Sequence, residues 1–425
     1  MKQLPVLSPM MGMHLLNNAH TTINASNPPP IPCQASDGFQ HWLSQQGGAI
    51  ALTTYQSGKL ALIGWNGQQM TLLLRTFQKP MGMAVQGQRL ALATQHQVWQ
   101  FANAAELAPH YLAQQPGRYD ALYLPRVAHY TGDLNSHEVG YVGDEVWVVN
   151  TRFSCLSSLS ADFSFVPRWQ PPFISELTPD DRCHLNGMAI VDGMAIGNEM
   201  AIGNEMAIAS STDPSTPASP LPAFATALGE TDTPRGWRAH KATGGVVIDV
   251  TNNTVIARGL AMPHSPRWTG TELLVLNSGA GELWRIDPTT GDRTVISVLP
   301  GFLRGLSCVG RTAIIGLSQI REQHIFGGLP LETRFSDRIC GVALVNLDTG
   351  DCIGTFEFTS QCQEIGDVAF IPHITRPNIL SIDKPVTQEA FTAPDFAYWL
   401  RSSPSRPATH PPTTSNPSFP LLTTD

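Results

Sequence analysis

Six four-residue segments of the chain share one frame: KPMG (79–82), HEVG (137–140), HLNG (184–187), HSPR (264–267), FLRG (302–305) and QEIG (363–366). Five of the six end in glycine, and each leads into a short apolar stretch such as MAV, MAI or DVAF. The residues that open the frames are Lys79, His137, His184, His264, Phe302 and Gln363, so three of six are histidine in a chain with 13 histidines among 425 residues. Neutral imidazoles suit divalent zinc, iron, nickel and copper, with zinc and iron first among the candidates. Three protein ligands leave the open position that a catalytic metal needs, and an ion so held acidifies its bound water or polarises a carbonyl. The competing reading makes each histidine a lone turn residue hydrogen-bonded to backbone.

A second frame follows, in which the next strand ends in polar residues: LALATQ (90–95), VWVVNT (146–151), ATALGE (225–230), LLVLNS (273–278) and AIIGLS (313–318). It offers Asn150, Glu230, Asn277, Ser278, Ser318 and Gln319 as ligand-orienting groups, and the opening turns add Asn186, Arg267, Arg304 and Glu364. Glu364 is the first candidate for a general acid or base, because a carboxylate beside a metal in a low-dielectric channel can be tuned; the alternative is a solvated turn residue. Arg304 is the second catalytic candidate. With Arg267 and Lys79 it would make the site positive and suit a carboxylate- or phosphate-bearing ligand, unless these cations simply pair with Glu364 and Glu230. Two long segments, 230–245 and 318–341, read as binding loops, with Trp237, Arg238, Arg321 and Arg338 as contacts. Asp133, four residues before His137, is a candidate carboxylate partner for that imidazole.

Short runs that alternate apolar and polar residues must position these groups. RLALATQHQVWQF (89–101), ELLVLNSGAGELWRID (272–287) and GVALVNLDTGDCIGTFEF (341–358) have the period of half-buried strands, separated by hairpin-type turns. A sixth copy of the second frame, IALTTY (50–55), lies near the N-terminus, while its inner strand QEIGDVAFIP lies near the C-terminus. That split predicts an all-β, six-bladed β-propeller closed by N- and C-terminal strands. A two-sheet sandwich would leave six copies of one frame unexplained.

Composition agrees with many short strands: 42% hydrophobic, 14% charged, with 36 Gly and 34 Pro. A net charge of −8 without a Lys/Arg run argues against nucleic acid or an anionic membrane as partner. The expected partner is a small molecule or peptide. No apolar run spans a membrane and the N-terminus has no signal-like apolar region, so a cytoplasmic location is expected. Seven scattered Cys without a CxxC signal neither a disulfide framework nor a cysteine-rich metal site; they read as small buried residues, with a functional thiol at Cys183 or Cys362 as the alternative. Residues 1–38 and the Pro/Ser/Thr-rich tail 384–425 are expected to be disordered, leaving 39–383 as one domain. Within it, the low-complexity stretch 193–222, with GNEMAI twice in tandem, reads as a loop insertion on the side away from the histidines, so that deleting Gly197 to Ser219 should be tolerated.

The motifs NTRFSCL (150–156), FVPRWQPPFIS (165–175), DRCHLNG (181–187), MPHSPRW (262–268), GFLRGL (301–306) and CGVALVNLDTG (340–350) resemble an uncharacterised conserved bacterial family, a domain of unknown function. The resemblance covers about residues 40 to 380. It implies a shared fold and brings no established activity, and it supports the three histidines, each read as falling inside a family-like motif. More distantly, the repeat plan is similar to propellers of the regucalcin/gluconolactonase and peptidyl-hydroxyglycine-lyase groups. That likeness implies a metal at the mouth of the channel.

Overall fold

The computed structural model describes residues 31–193, 218–319 and 327–400. Six sheets hold the six frames, one innermost strand each, all antiparallel except for Pro377–Ile379, which adds to the outer edge of the first blade parallel to Ala121–Tyr130. The inner strands, in blade order, are Met83–Gln86, Ser136–Val142, Leu185–Gly193, Pro263–Trp268, Phe302–Val309 and Val368–Pro372. The last is the C-terminal strand of the ring. It pairs with Gly48–Thr54 of the N-terminal segment, Gly48 opposite Pro372 and Leu52 opposite Val368, so the sixth blade is built from both ends of the chain. A six-bladed β-propeller closed in this way leaves no long unpaired inner edge.

The frame glycines mark where inner strands of neighbouring blades meet. A Cβ on Gly82 would lie 2.5 Å from the Cα of Glu138, and one on Gly187 would lie 2.4 Å from Cδ of Pro266. The only frame without glycine, in the fourth blade, has Arg267 there, and its strand shifts register between His264 and Arg267. The shift leaves the histidine in place. His264 follows Pro263, which faces Asn277, as His137 follows Ser136, which faces Asn150.

Between the blades, buried Leu, Ile, Val and Phe from facing sheets form the core. Each buried Leu, Ile or Val side chain is worth about 1.5–3 kcal/mol relative to exposure. The order is wider than the expected 39–383. Cys33–Ala35 adds a fifth strand to the fifth blade, and helix α1 (Asp37–Gln45), capped by Ser36, buries Phe39, Trp42 and Leu43 on the same core. At the other end, Ala390–Ala393 and Phe396–Trp399 form a hairpin whose Trp399 indole donates to Leu107 O. These aromatic residues sit at the start of a tail whose average composition hides them. The insertion is narrower than expected, because Ala218 already pairs with Gly193; residues 194–217 lie outside the described residues. Among the described residues no helix is long and apolar enough to cross a membrane.

Candidate functional site

His137, His184 and His264 come together at the end of the axis where the second, third and fourth inner strands begin. The ring centres of His137 and His184 are 4.7 Å apart and those of His137 and His264 6.1 Å. All three use the same ring nitrogen as an anchor. Nδ1 of His137 donates to Asn135 O (3.0 Å) and Thr151 Oγ1 (2.7 Å), and Nδ1 of His264 donates to Met262 O (2.9 Å) and Ser278 Oγ (3.1 Å). Nδ1 of His184 donates to the Asp181 carboxylate at 2.8 and 3.0 Å. Carbonyl and carboxylate oxygens only accept, so each Nδ1 carries a proton, and in a neutral ring so anchored Nε2 keeps its lone pair. No group among the described residues engages any of the three Nε2 atoms.

Burial holds His137 and His264 well below the usual imidazole pKa, and the charge of Arg304 pushes both further down. They are therefore neutral near pH 7. Trp237 packs on His184 with ring centres 4.5 Å apart and donates from its indole to Asp181, while Phe302 packs on His264 at 5.5 Å. The result is a cup lined by imidazoles and walled by aromatic rings.

A charged layer lies below the cup. Glu138, Arg267 and Asp367 project from the second, fourth and sixth blades, and side chains from alternate blades of a six-membered ring can meet only at its axis. Arg267 is ion-paired with Glu138 and lies 3.8 Å from Asp367. Burial raises the pKa of both carboxyls, that of Asp367 to about 7, with Arg267 opposing the rise.

The other sequence candidates divide. Ser278 orients His264, and buried Arg304 stands near His137, His264 and Tyr55, with Lys79 over the Tyr55 ring at 5.7 Å. Glu364 is buried on the sixth blade within electrostatic range of Arg304. Asn186 is consumed structurally, donating to Pro263 O and accepting from Thr226. Asn277 likewise spans Ala261 N and Glu282, and Asn150 accepts the Phe153 N–H. Glu230 is directed away from the cup and pairs with Arg258 on an outer strand. Ser318 accepts the Ile365 N–H and Gln319 is tied through its backbone to Gln363 O. Arg321 lies outside the described residues. Arg238 stacks over Trp237, and Arg338 donates to Phe335 O. Asp133 is paired with Arg152, and His137 takes the nearer Asn135 carbonyl instead. The Cys183 thiol is buried and pushed up to about 12, which leaves it unreactive.

Sequence reasoning missed Thr151, Asp181, Glu138 and Asp367. Thr151 was legible, since NT at 150–151 and NS at 277–278 occupy the same place in the second frame.

The chemistry of the donor set, though not its present spacing, is that of a metal site. Three imidazoles on one ion at about 2.1 Å have ring centres about 5 Å apart, between the two separations observed, and Nδ1 anchoring is the usual support of a ligating Nε2. Among the described residues, no three His, Cys, Asp or Glu side chains already stand at metal-ligand spacing. The rings are gathered without forming a closed ligand set.

Fold and site together define a six-bladed β-propeller with an axial histidine cup at one face. The chain belongs to the DUF4915 family, a domain of unknown function, whose model matches residues 37–202 and 218–380. The break in the match, 203–217, falls within the low-complexity insertion. No curated protein matches the chain. Among solved structures it is similar to a chain in the crystal structure of a nidogen/laminin complex, at 9% identity and TM-score 0.45, covering 77% of this chain and 99% of that one. It is also similar to a protein of unknown function from Bacteroides caccae, at 9% identity and TM-score 0.42, covering 76% and 98%. Likeness to the regucalcin/gluconolactonase or lyase propellers rests on the repeat pattern alone.

Proposed function

We propose that the cup is the site of a metal-dependent lyase or hydrolase that acts on a small molecule or peptide. The observation that carries this reading is the shared anchoring: three imidazoles gathered at one end of the axis, each held through Nδ1, with no described group on Nε2. His137, His184 and His264 would hold the ion, and Thr151, Asp181 and Ser278 fix the rings that present it. When bound, the ion supplies an acidified water or a polarised carbonyl. Glu364 lies on the opposite side of the cup, where a carboxylate can take or return a proton. Trp237 and Phe302 exclude water from the imidazoles, and the Glu138–Arg267–Asp367 layer fills the axis beneath, so substrate and product would share one entrance.

Metal analysis of untagged protein tests this. About one equivalent of transition metal is expected, lost on His137→Ala, His184→Ala or His264→Ala with the fold retained by circular dichroism. If wild type and all three variants are equally metal-free even after zinc or ferrous iron is supplied, the metal reading fails. The cup would then be the recognition face of a non-enzymatic scaffold.

A further inference from the structure

Arg304 is only 9% exposed, yet among the described residues no acceptor lies within hydrogen-bond or ion-pair distance of its guanidinium. Glu364, Tyr55 and Asp367 act on it through space without contacting it. Arg182, similarly buried, behaves differently and meets Glu176 and Asp232 at 2.6 and 2.8 Å. Arg267 is also paired. A guanidinium carries a full charge, and burying one unpaired is strongly unfavourable. The imidazoles of His137 and His264 lie within electrostatic range of it, and their Nδ1 atoms are already committed to Asn135 O and Met262 O.

We infer that Arg304 is the anchor for an oxyanion group, a carboxylate or phosphate, of the small molecule that enters the cup. Its planar fork of N–H donors matches two oxygens of such a group. Its place on the fifth blade, beside His264 of the fourth and across the axis from His137 of the second, puts that group at the side of the cup opposite His137. Lys79, exposed at the rim beside Tyr55, adds charge along the way in. The inference rests on reading the cup as the ligand site and does not depend on which metal, if any, is held there.

The test uses the full chain in phosphate-free buffer, titrated calorimetrically with inorganic phosphate and, separately, with malonate. Wild type should bind at least one of them at a single site, and the tighter one names the head group. Arg304→Met should weaken that binding tenfold or more, the loss expected for charge-assisted hydrogen bonds, and Arg304→Lys should keep part of it. Arg304→Met should also raise the thermal midpoint, because it removes a buried charge that has no partner. A purely structural arginine would lower it. The inference is overturned if neither probe binds wild type, or if Arg304→Met binds as well as wild type does. Metal content of the same samples separates the two readings. Anion binding lost with metal retained locates the defect at Arg304, and anion binding to a metal-free wild type leaves the anchor standing while the metal reading fails.

Discussion

Arg267 on the fourth blade is ion-paired with Glu138 on the second, reaching past the blade between them to the propeller axis. Each member of the axial group also stitches its own blade to a neighbour. Glu138 accepts the Met188 N–H (2.7 Å) of the third blade, Arg267 donates to Leu306 O (2.7 Å) of the fifth, and Asp367 accepts the Met83 N–H (2.8 Å) of the first. Three residues on alternate blades therefore join all six in pairs and join the pairs to one another. Two carboxylates share one guanidinium, so the group is held by arrangement rather than by charge balance.

Removing the shared cation should expose that dependence. Arg267→Met leaves Glu138 and Asp367 buried without it, at a cost of about 3–5 kcal/mol near neutral pH. The deficit should shrink as pH falls, because both carboxyls already have raised pKa values, that of Asp367 to about 7, and protonation removes the uncompensated charge. Urea unfolding at pH 5 and pH 8 checks this. A loss of the same size at both values would show that Arg267 acts by packing alone.

Much of this could be read from the sequence, and the part that could not has a physical reason. Six frames, five of them with glycine at the strand crossing, and one second strand displaced to the N-terminus, were enough for the ring. The histidines followed, because each opens a frame. Glu138 and Asp367 were not legible as a group: they lie at different frame positions, and only the sixfold geometry brings alternate blades to one point. Glu230 misled because ATALGE ends in a polar residue as the other copies do. In the structure its strand ends at Ala227, so Glu230 falls beyond the strand end and reaches Arg258.

Asp181 is the support of His184, the most exposed of the three clustered histidines. It holds Nδ1 of His184 and the Trp237 indole at once, so Asp181→Asn should leave the fold intact and disturb ring orientation. If the cup holds a metal, affinity should fall about 10–100-fold, measured by chelator competition. Unchanged affinity would remove His184 from the ligand set.

The pH dependence of the cup has a definite sign. His137 and His264 have folded pKa values below the unfolded value of about 6.5. The unfolded chain therefore binds more protons below that pH, and each histidine contributes stability that is present above pH 6.5 and lost as pH falls towards its folded pKa. For His264→Gln in metal-free protein, the stability difference from wild type should move in favour of the variant by up to about 1.4 kcal/mol per pH unit below 6.5. Using this difference cancels the opposing contribution of Asp367, whose raised pKa stabilises the fold on acidification. Parallel pH profiles for the two proteins would mean that His264 titrates normally.

The insertion should be dispensable, but within limits narrower than the repeat suggests. Gly193 and Ala218 are paired across the third blade, so their backbones are already adjacent, at the far end of an inner strand whose other end lies beside His184. Deleting 196–215 leaves four residues to close the hairpin, an ordinary length, and removes chain that the family match partly skips. The thermal midpoint should stay within a few degrees, and the pH profile and metal content should match those of the full chain. Deleting Gly197 to Ser219 instead removes Ala218 and its pairing with Gly193, and should cost measurable stability. If the shorter deletion also unfolds the protein, the insertion is part of the third blade rather than an addition to it.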